Sequence, residues 1–419
     1  MREIKRDNYL EILKKSLTNS KITFLIGARQ VGKTTLLKQF SRELENYAFV
    51  PCDKLSLKKF ESAEDLLNAI SLNQGVDFQK MNYLILDEIQ MIENISIFLK
   101  DLHDNFNLKI FASGSGSLEI FRGISDSLVG RKEIINIYPL SFYEFLQSKN
   151  TPIIPPKKAT RSVMDTYLVF LEEYLSFGGY PEVVLAKGKT EKMKVLLSIY
   201  RSYIEKDIKE YLQSGDVFSF EKFYKLIAAS ICSLQKIDNI CKEISVYREK
   251  VEKFSFILKN TFIMDLVDPW VSNTAKEIKS HKKIYFSDTG FMNSSLESFL
   301  ISKDRQGKLI ENFVLSELRK SISKKELSEI LKIYFWRKKS QTEIDFVIKN
   351  LKNGKLIPIE VKSKSTDVIP KSFKSFLDLY ESQTDFFVVL NKDVSKERMI
   401  KGKRVLFLPY FYAESVIKV

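Results

Sequence analysis

The run Gly27-Ala28-Arg29-Gln30-Val31-Gly32-Lys33-Thr34-Thr35 gathers two glycines, a lysine and two hydroxyls into one short segment. Glycines at 27 and 32 let backbone N–H groups close round a β-phosphate at a helix N-terminus. Lys33 would neutralise the β- and γ-phosphates of ATP or GTP, and Thr34 would ligate Mg2+. Asp87 ends the apolar stretch "YLILD" and is placed to hold the Mg2+ shell, while Glu88 after it would polarise the attacking water. A further apolar stretch, "LKIFASGSGSLEI", delivers Ser113 and Ser115 beyond its end, where a polar side chain can sense a γ-phosphate. Arg131 follows a glycine and precedes another strand, so it is a candidate arginine finger for its own or a neighbouring subunit; Arg122 is a weaker one.

A second constellation lies near the other end. "EIDFVIKNLKNGKLIPIEVKSK" reads as two strands around an Asn353-Gly354 hairpin turn. With those two residues as the turn, Val347 falls opposite Glu360 and Asp345 opposite Lys362. Asp345, Glu360 and Lys362 then share one face, and Ile344, Phe346, Ile348, Ile357, Ile359 and Val361 the other. Such charges can be an ion-pair ladder worth about 0.2–1 kcal/mol per pair. They can also be a metal site, since Mg2+ needs hard oxygen ligands and open positions for water and phosphate.

The elements that must position these residues are legible in outline. Residues 22–26 form an apolar strand before the glycine loop, and Leu36, Leu37 and Phe40 line one side of the helix after it. Glu311 sits in "GKLIENFVLSELRKSI", a helix with Ile310, Phe313, Val314 and Leu318 as its buried stripe. The strand "KIYFWR", the Asp345 and Glu360 strands and the helix "KSFKSFLDLY" follow in order. Residues 220–270 read as two short helices, then a longer one leading into "FIMDLV", which fits a winged helix although no glycine turn separates its helices. Lys250, Lys253 and Lys259 there either contact phosphates or form a solvated helix face.

The 419 residues suggest several domains, and the 44% apolar fraction with 31 phenylalanines supplies their cores. No apolar run approaches the roughly 20 residues of a membrane span, and the charged N-terminus is unlike a secretory signal. A soluble, cytoplasmic protein without membrane association is expected. Cys52, Cys232 and Cys241 lack metal or disulfide spacing and indicate a reducing compartment. With only His103 and His281, histidine triads and multi-histidine metal sites are not expected. Net charge is +1 over residues 1–150, +3 over 151–300 and +10 over 301–419. A basic segment beside a carboxylate cluster suits a phosphodiester, and so a nucleic-acid partner, DNA first.

The ordered set "GARQVGKTTLL", "LILDEIQ", "ASGSGSLE", "LVGR", "YPLSFYEFL", "FGGYPEVV", "SYIEKDI", "KIYFSDTGFMNSSL", "GKLIENFVLSEL" and "EIDFVI…IPIEVK" resembles one family across nearly the whole chain. These are the bacterial and archaeal AAA-type ATPases with a C-terminal domain of unknown function related to PD-(D/E)xK restriction endonucleases. The resemblance implies an α/β fold: a P-loop AAA-type core at 1–150, a helical lid at 151–215, a winged-helix-like region at 216–300 and a restriction-endonuclease-like domain at 301–419. It implies ATP and Mg2+ as cofactors and metal binding by Asp345, Glu360 and Glu311, with Lys362 orienting or deprotonating water. The expected function is ATP hydrolysis coupled to action on nucleic acid, with a possible Mg2+-dependent nuclease. An ATP-regulated DNA-binding switch without cleavage, a protein-remodelling or scaffold ATPase, and a homo-oligomer are the alternatives and additions.

Overall fold

The computed structural model describes residues 3–54, 60–115, 128–234, 236–271, 281–338 and 342–418. Arg122 lies outside them. The chain divides into two compact units, Met1–Tyr138 with Asn260–Phe262, and Pro139–Lys259 with Ile263–Val419.

The first unit is built on strands β1 (Ile22–Gly27), β2 (Tyr47–Pro51), β3 (Tyr83–Asp87), β4 (Lys109–Ser115) and β5 (Lys132–Asn136). They form one parallel sheet in the order β2-β3-β4-β1-β5. All six residues of β1 are buried, as a central strand covered on both faces requires. Helices α1 (Asp7–Ser16), α2 (Lys33–Ser41), α3 (Ala63–Gln74) and α4 (Ile95–Asn105) accompany the sheet. Ser62 caps α3 by accepting the Asp65 N–H, and Gly75 closes it in the left-handed region. Phe24, Ile26, Leu67, Leu84, Leu86, Leu99 and Ile110 contribute to one buried apolar cluster.

The second unit carries an eight-stranded sheet in the order β12-β13-β11-β10-β9-β8-β6-β7. Its strands are β6 (Met264–Pro269), β7 (Lys283–Phe286), β8 (Leu331–Arg337), β9 (Glu343–Asn350), β10 (Leu356–Val361), β11 (Phe387–Asn391), β12 (Lys396–Ile400) and β13 (Lys403–Pro409). Helices α5 (Phe142–Ser148), α6 (Arg161–Phe177), α7 (Gly188–Ser202), α8 (Ser214–Ala229), α9 (Ile237–Ile244), α10 (Arg248–Asn260) and α11 (Thr289–Ser295) come before the long α12 (Lys303–Lys324), and α13 (Lys371–Tyr380) joins β10 to β11. The run α12, β8, β9, β10, α13 follows the helix, three strands, helix order read from sequence, with β8–β9 and β9–β10 antiparallel and β10–β11 parallel.

Several sequence expectations shift. The hairpin turn is longer than Asn353-Gly354: Asn350 donates to Lys355 O and Gly354 to Asn350 O, so Ile357 pairs with Ile348 and Pro358 with Val347. Gly354 alone takes the left-handed backbone, φ 70°, and the loop widens to accommodate it. Glu360 thereby lies across from Asp345, and not Lys362 as the two-residue turn required. Because the slip is two residues, every side chain keeps its face.

The first compact unit runs to Tyr138, short of the domain limit expected at 150. Ser141 and Glu144 form a capping box on α5, and the Phe142 N–H donates to Glu317 Oε2 at 2.9 Å, tying residues 141–148 to α12. One sheet continues across the limit expected at 300, since β6 pairs in parallel with β8 and β7 pairs with β6. In the middle region α8, α9 and α10 precede the antiparallel pair β6–β7, to which Leu234 adds a bridge at Lys283. Ser245 at φ 57° makes the turn that sequence reading sought from a glycine. Here Arg248 pairs with Glu252 and Asp238, and Lys250 with Asp216, while Lys253 and Lys259 are exposed.

Candidate functional sites

At the C-terminal ends of β1, β3 and β4 the sheet brings the first constellation together. Gly32 (φ 96°) and Gln30 (φ 63°) turn the loop from β1 into α2, where Thr34 and Thr35 start the helix. Lys33 is buried, and its Nζ donates to Gly27 O at 3.0 Å and Ala28 O at 2.9 Å, spanning the loop it would share with a phosphate. A Cβ on Gly27 would meet Ile137 O at 2.1 Å, so this glycine is required by the chain beside β5 as well as by a ligand. Asp87 is buried at the end of β3; Ser113 Oγ donates to its Oδ1, and the Glu88 N–H donates to Ser113 Oγ at 3.2 Å. Glu88 itself sits at φ 57°. Its Oε2 accepts from Gln90 Nε2, which also donates to Ser115 Oγ at 2.9 Å. Ser113 therefore contacts both acidic residues, while Ser115 reaches Glu88 only through Gln90. With the order in which β4 separates β1 from β3, the geometry suits Mg2+-nucleotide: a glycine loop, a buried ammonium, a hydroxyl at Thr34 and a carboxylate at Asp87.

Arg131 is not part of this cluster. Its carbonyl accepts the Ile22 N–H at 2.8 Å at the start of β1, whereas the glycine loop follows the end of that strand, roughly 16 Å away. Its guanidinium is held by Asp104 at 2.7 Å, which depresses that carboxyl to about 2. It cannot serve the nucleotide site of its own subunit. Sequence reading missed Arg6, which is buried and donates to Tyr138 O (3.0 Å) and Val31 O (3.4 Å), bracing the loop from behind, and it missed Gln90. "DEIQ" held the signal for Gln90, a polar side chain two residues after the acid.

The second constellation forms where β7, β9, β10 and α12 meet. Asp345 Oδ2 accepts the Val361 N–H at 2.8 Å, which locks the aspartate onto the neighbouring strand. Glu360 is buried; Oε1 accepts from Lys362 Nζ at 2.7 Å, and Oε2 has no hydrogen-bond partner. Glu360 also lines a cleft of roughly 440 Å³ together with Thr342, Glu343, Lys362 and Ser372. Burial and then the Asp345 charge push Glu360 up to about 7, and the same causes push Glu311 up to about 7. Asp345 is raised by burial against the opposing pull of Lys283. Close, partly dehydrated carboxylates with one orphaned oxygen fit a divalent cation held by Asp345 and Glu360.

Glu311 departs from the expected ligand set. Among the described residues no three His, Cys, Asp or Glu side chains are grouped to hold one metal ion. Glu311 Oε1 instead accepts from Tyr285 OH at 2.7 Å and pairs with Lys283 at 3.3 Å. Lys283, Tyr285 and Glu343 were invisible to local reading because β7 is joined to this site only by tertiary pairing. The one hint was the alternation in "KIYF", which puts Lys283 and Tyr285 on one face.

Residues 19–146 match a family model described as an AAA domain, and 170–300 and 306–411 match two domains of unknown function, DUF8612 and DUF4143. The chain is similar to an uncharacterized protein of Methanocaldococcus jannaschii, 29% identical over 364 residues that cover 83% of this chain and 78% of that one. An uncharacterized Haemophilus influenzae protein is 26% identical over 305 residues, 70% of this chain and 74% of that one. Among solved structures, a Walker-type ATPase of Pyrococcus abyssi gives a TM-score of 0.47 at 16% identity, covering 70% of this chain and 96% of that one. The match to the AAA-domain model lies mostly in the first unit and spans the glycine loop, Asp87 and Glu88. Among the described residues no helix is long and apolar enough to cross a membrane.

Proposed function

We propose that the protein is an ATP-hydrolysing AAA-type enzyme that acts on nucleic acid through a divalent-metal site in its second unit. The observation that carries the reading is the facing pair Asp345 and Glu360 with the orphaned Glu360 Oε2 and the adjacent Lys362 ammonium. At the ATP site Lys33 offsets phosphate charge, Thr34 and Asp87 would hold Mg2+, and Glu88, oriented by Gln90, accepts the proton of the attacking water. Because Arg131 lies far from its own glycine loop, a role as a finger requires a neighbouring copy of the chain.

In the second unit, a bound Mg2+ or Mn2+ would supply Lewis acidity to a phosphodiester and a lowered pKa to a coordinated water. Asp345 and Glu360 would hold the cation, and Lys362 would offset the charge that builds on the phosphate. The +10 net charge of residues 301–419 supports a polyanionic substrate, DNA being the first to test. The restriction-endonuclease-like fold, and a winged helix in α8–α10 with β6–β7, belong to the same proposal. ATP hydrolysis measured with and without duplex DNA, alongside cleavage in Mg2+ or Mn2+, tests it. Protein that neither hydrolyses ATP nor binds or cuts DNA or RNA overturns it. A DNA-binding switch without cleavage is the second reading, favoured by the Lys362–Glu360 pair, which occupies the lysine; binding without cutting in the unmodified protein would select it.

A further inference from the structure

We propose that Lys283 is a built-in cation of the second site, filling the place between Glu311 and Glu343 that a second divalent ion would otherwise take. The inference rests on the reading of Asp345 and Glu360 as the holders of one such ion.

Lys283 comes from β7, in the segment that matches DUF8612, whereas the carboxylates come from the segment beyond it. Its side chain is only 4% exposed. Nζ stands 3.3 Å from Glu311 Oε1, forms a close ion pair with Glu343 Oε1, and lies 5.5 Å from the centre of the Phe335 ring. Burying an ammonium costs several kcal/mol unless carboxylates compensate. Here burial lowers the Lys283 pKa, but Glu311, Asp345 and Glu343 outweigh it and hold the group firmly charged.

The hydrogen bonds divide the site into two sides. On the Glu311 side one oxygen, Oε1, is held by both Tyr285 and Lys283. On the Glu360 side an oxygen is left without a partner. Between Glu311 and Glu343 the Lys283 ammonium already stands as counter-ion, which leaves Asp345 and Glu360 for a cation from solution. Charge gives the same count: the carboxylates of Glu311, Glu343, Asp345 and Glu360 face the ammonium groups of Lys283 and Lys362, a formal excess of two negative charges that one divalent ion balances. Arg337 approaches Glu343 only at 3.8 Å from an exposed position. Without the Lys283 charge the excess becomes three, and Glu311 and Glu343 lose their shared counter-ion.

The test is Mn2+ stoichiometry on the full chain without nucleotide, followed by loss of the free-ion electron paramagnetic resonance signal, with the first ion assigned by its disappearance in Glu360→Ala and a second by its disappearance when Glu311→Ala is added. One ion per chain is expected for the unmodified protein and for Lys283→Arg, and two for Lys283→Met. Thermal melts establish that each variant is folded; if Lys283→Met is not, Lys283→Gln, which keeps a hydrogen-bond donor and removes the charge, is read in the same way. A charge-removed variant that takes one ion or none overturns the proposal, leaving Lys283 a structural tie. Unmodified protein that takes no ion refutes the metal reading itself, and the inference with it.

Discussion

Glu88 shows what its surroundings impose on one residue: a non-glycine backbone at φ 57° is disfavoured, and the Ser113 and Gln90 hydrogen bonds hold it there. Glu88→Gln keeps the shape but cannot take a proton, so ATP should bind and persist, with turnover lowered by about 10²-fold or more. Lys33→Ala should instead weaken binding itself, which nucleotide titration separates from turnover. In the second unit Glu360 faces Asp345 from β9, Glu311 from α12 and Lys362 on its own chain, and its pKa of about 7 lies above the ordinary value of 4.5. A raised carboxyl favours the folded state when protonated, so this contribution is full below pH 4.5 and is lost as pH rises through 7. Glu360→Gln should therefore gain stability relative to the unmodified protein between pH 5 and 8 in EDTA, as measured by paired thermal melts. A pH-independent difference would mean that Glu360 does not titrate there.

At the scale of elements, the motifs "YPLS", "FGGYP" and "SDTG" prove to be one packed joint. Buried Asp288 caps α11 through the Phe291 N–H at 2.8 Å and accepts the Gly179 N–H at 2.7 Å. A Cβ on Gly178 would lie 2.0 Å from Asp288 Oδ1, at a backbone φ of 74°. Gly188 has the same φ and open space around it. Gly188→Ala should thus cost only left-handed strain, about 1–2 kcal/mol. Gly178→Ala should cost about 1–3 kcal/mol more through overpacking. Equal melting temperatures for the two variants would show that the joint relaxes freely. Below it, Lys320 Nζ donates to Tyr174 OH at 2.7 Å and Glu317 Oε1 at 3.0 Å in a buried network on α12. Removing one partner of such a pair costs more than the pair contributes, because a charge is left buried alone.

For the whole molecule, the two constellations lie in separate compact units, each with its own sheet. Asp345→Ala should abolish metal-dependent cleavage while ATP hydrolysis persists, and in EDTA it should preserve or tighten duplex binding by removing a negative charge. Lys362→Ala should weaken that binding and reduce the salt slope by about 1. Binding to a labelled duplex in EDTA, then cleavage on adding Mn2+, measures both. Undiminished cleavage by Asp345→Ala would make the strand pair an ordinary charged sheet face.

The glycine loop, the acidic strand end and the Asp345 and Glu360 strands were legible from residue types alone, because their patterns are local: apolar runs, alternation of period two, and turn residues in between. The two-residue register slip was not legible, since either turn leaves the same side chains on the same faces and only the loop backbone chooses between them. Nor could sequence distance reveal that Arg131 sits at the wrong end of the sheet for its own nucleotide, or that α5 packs with α12. The joining of β6 and β7 to the C-terminal sheet brought Lys283 against Glu311 and Glu343. Pairing between strands far apart in the chain leaves no periodic trace, so that site was decided by tertiary structure.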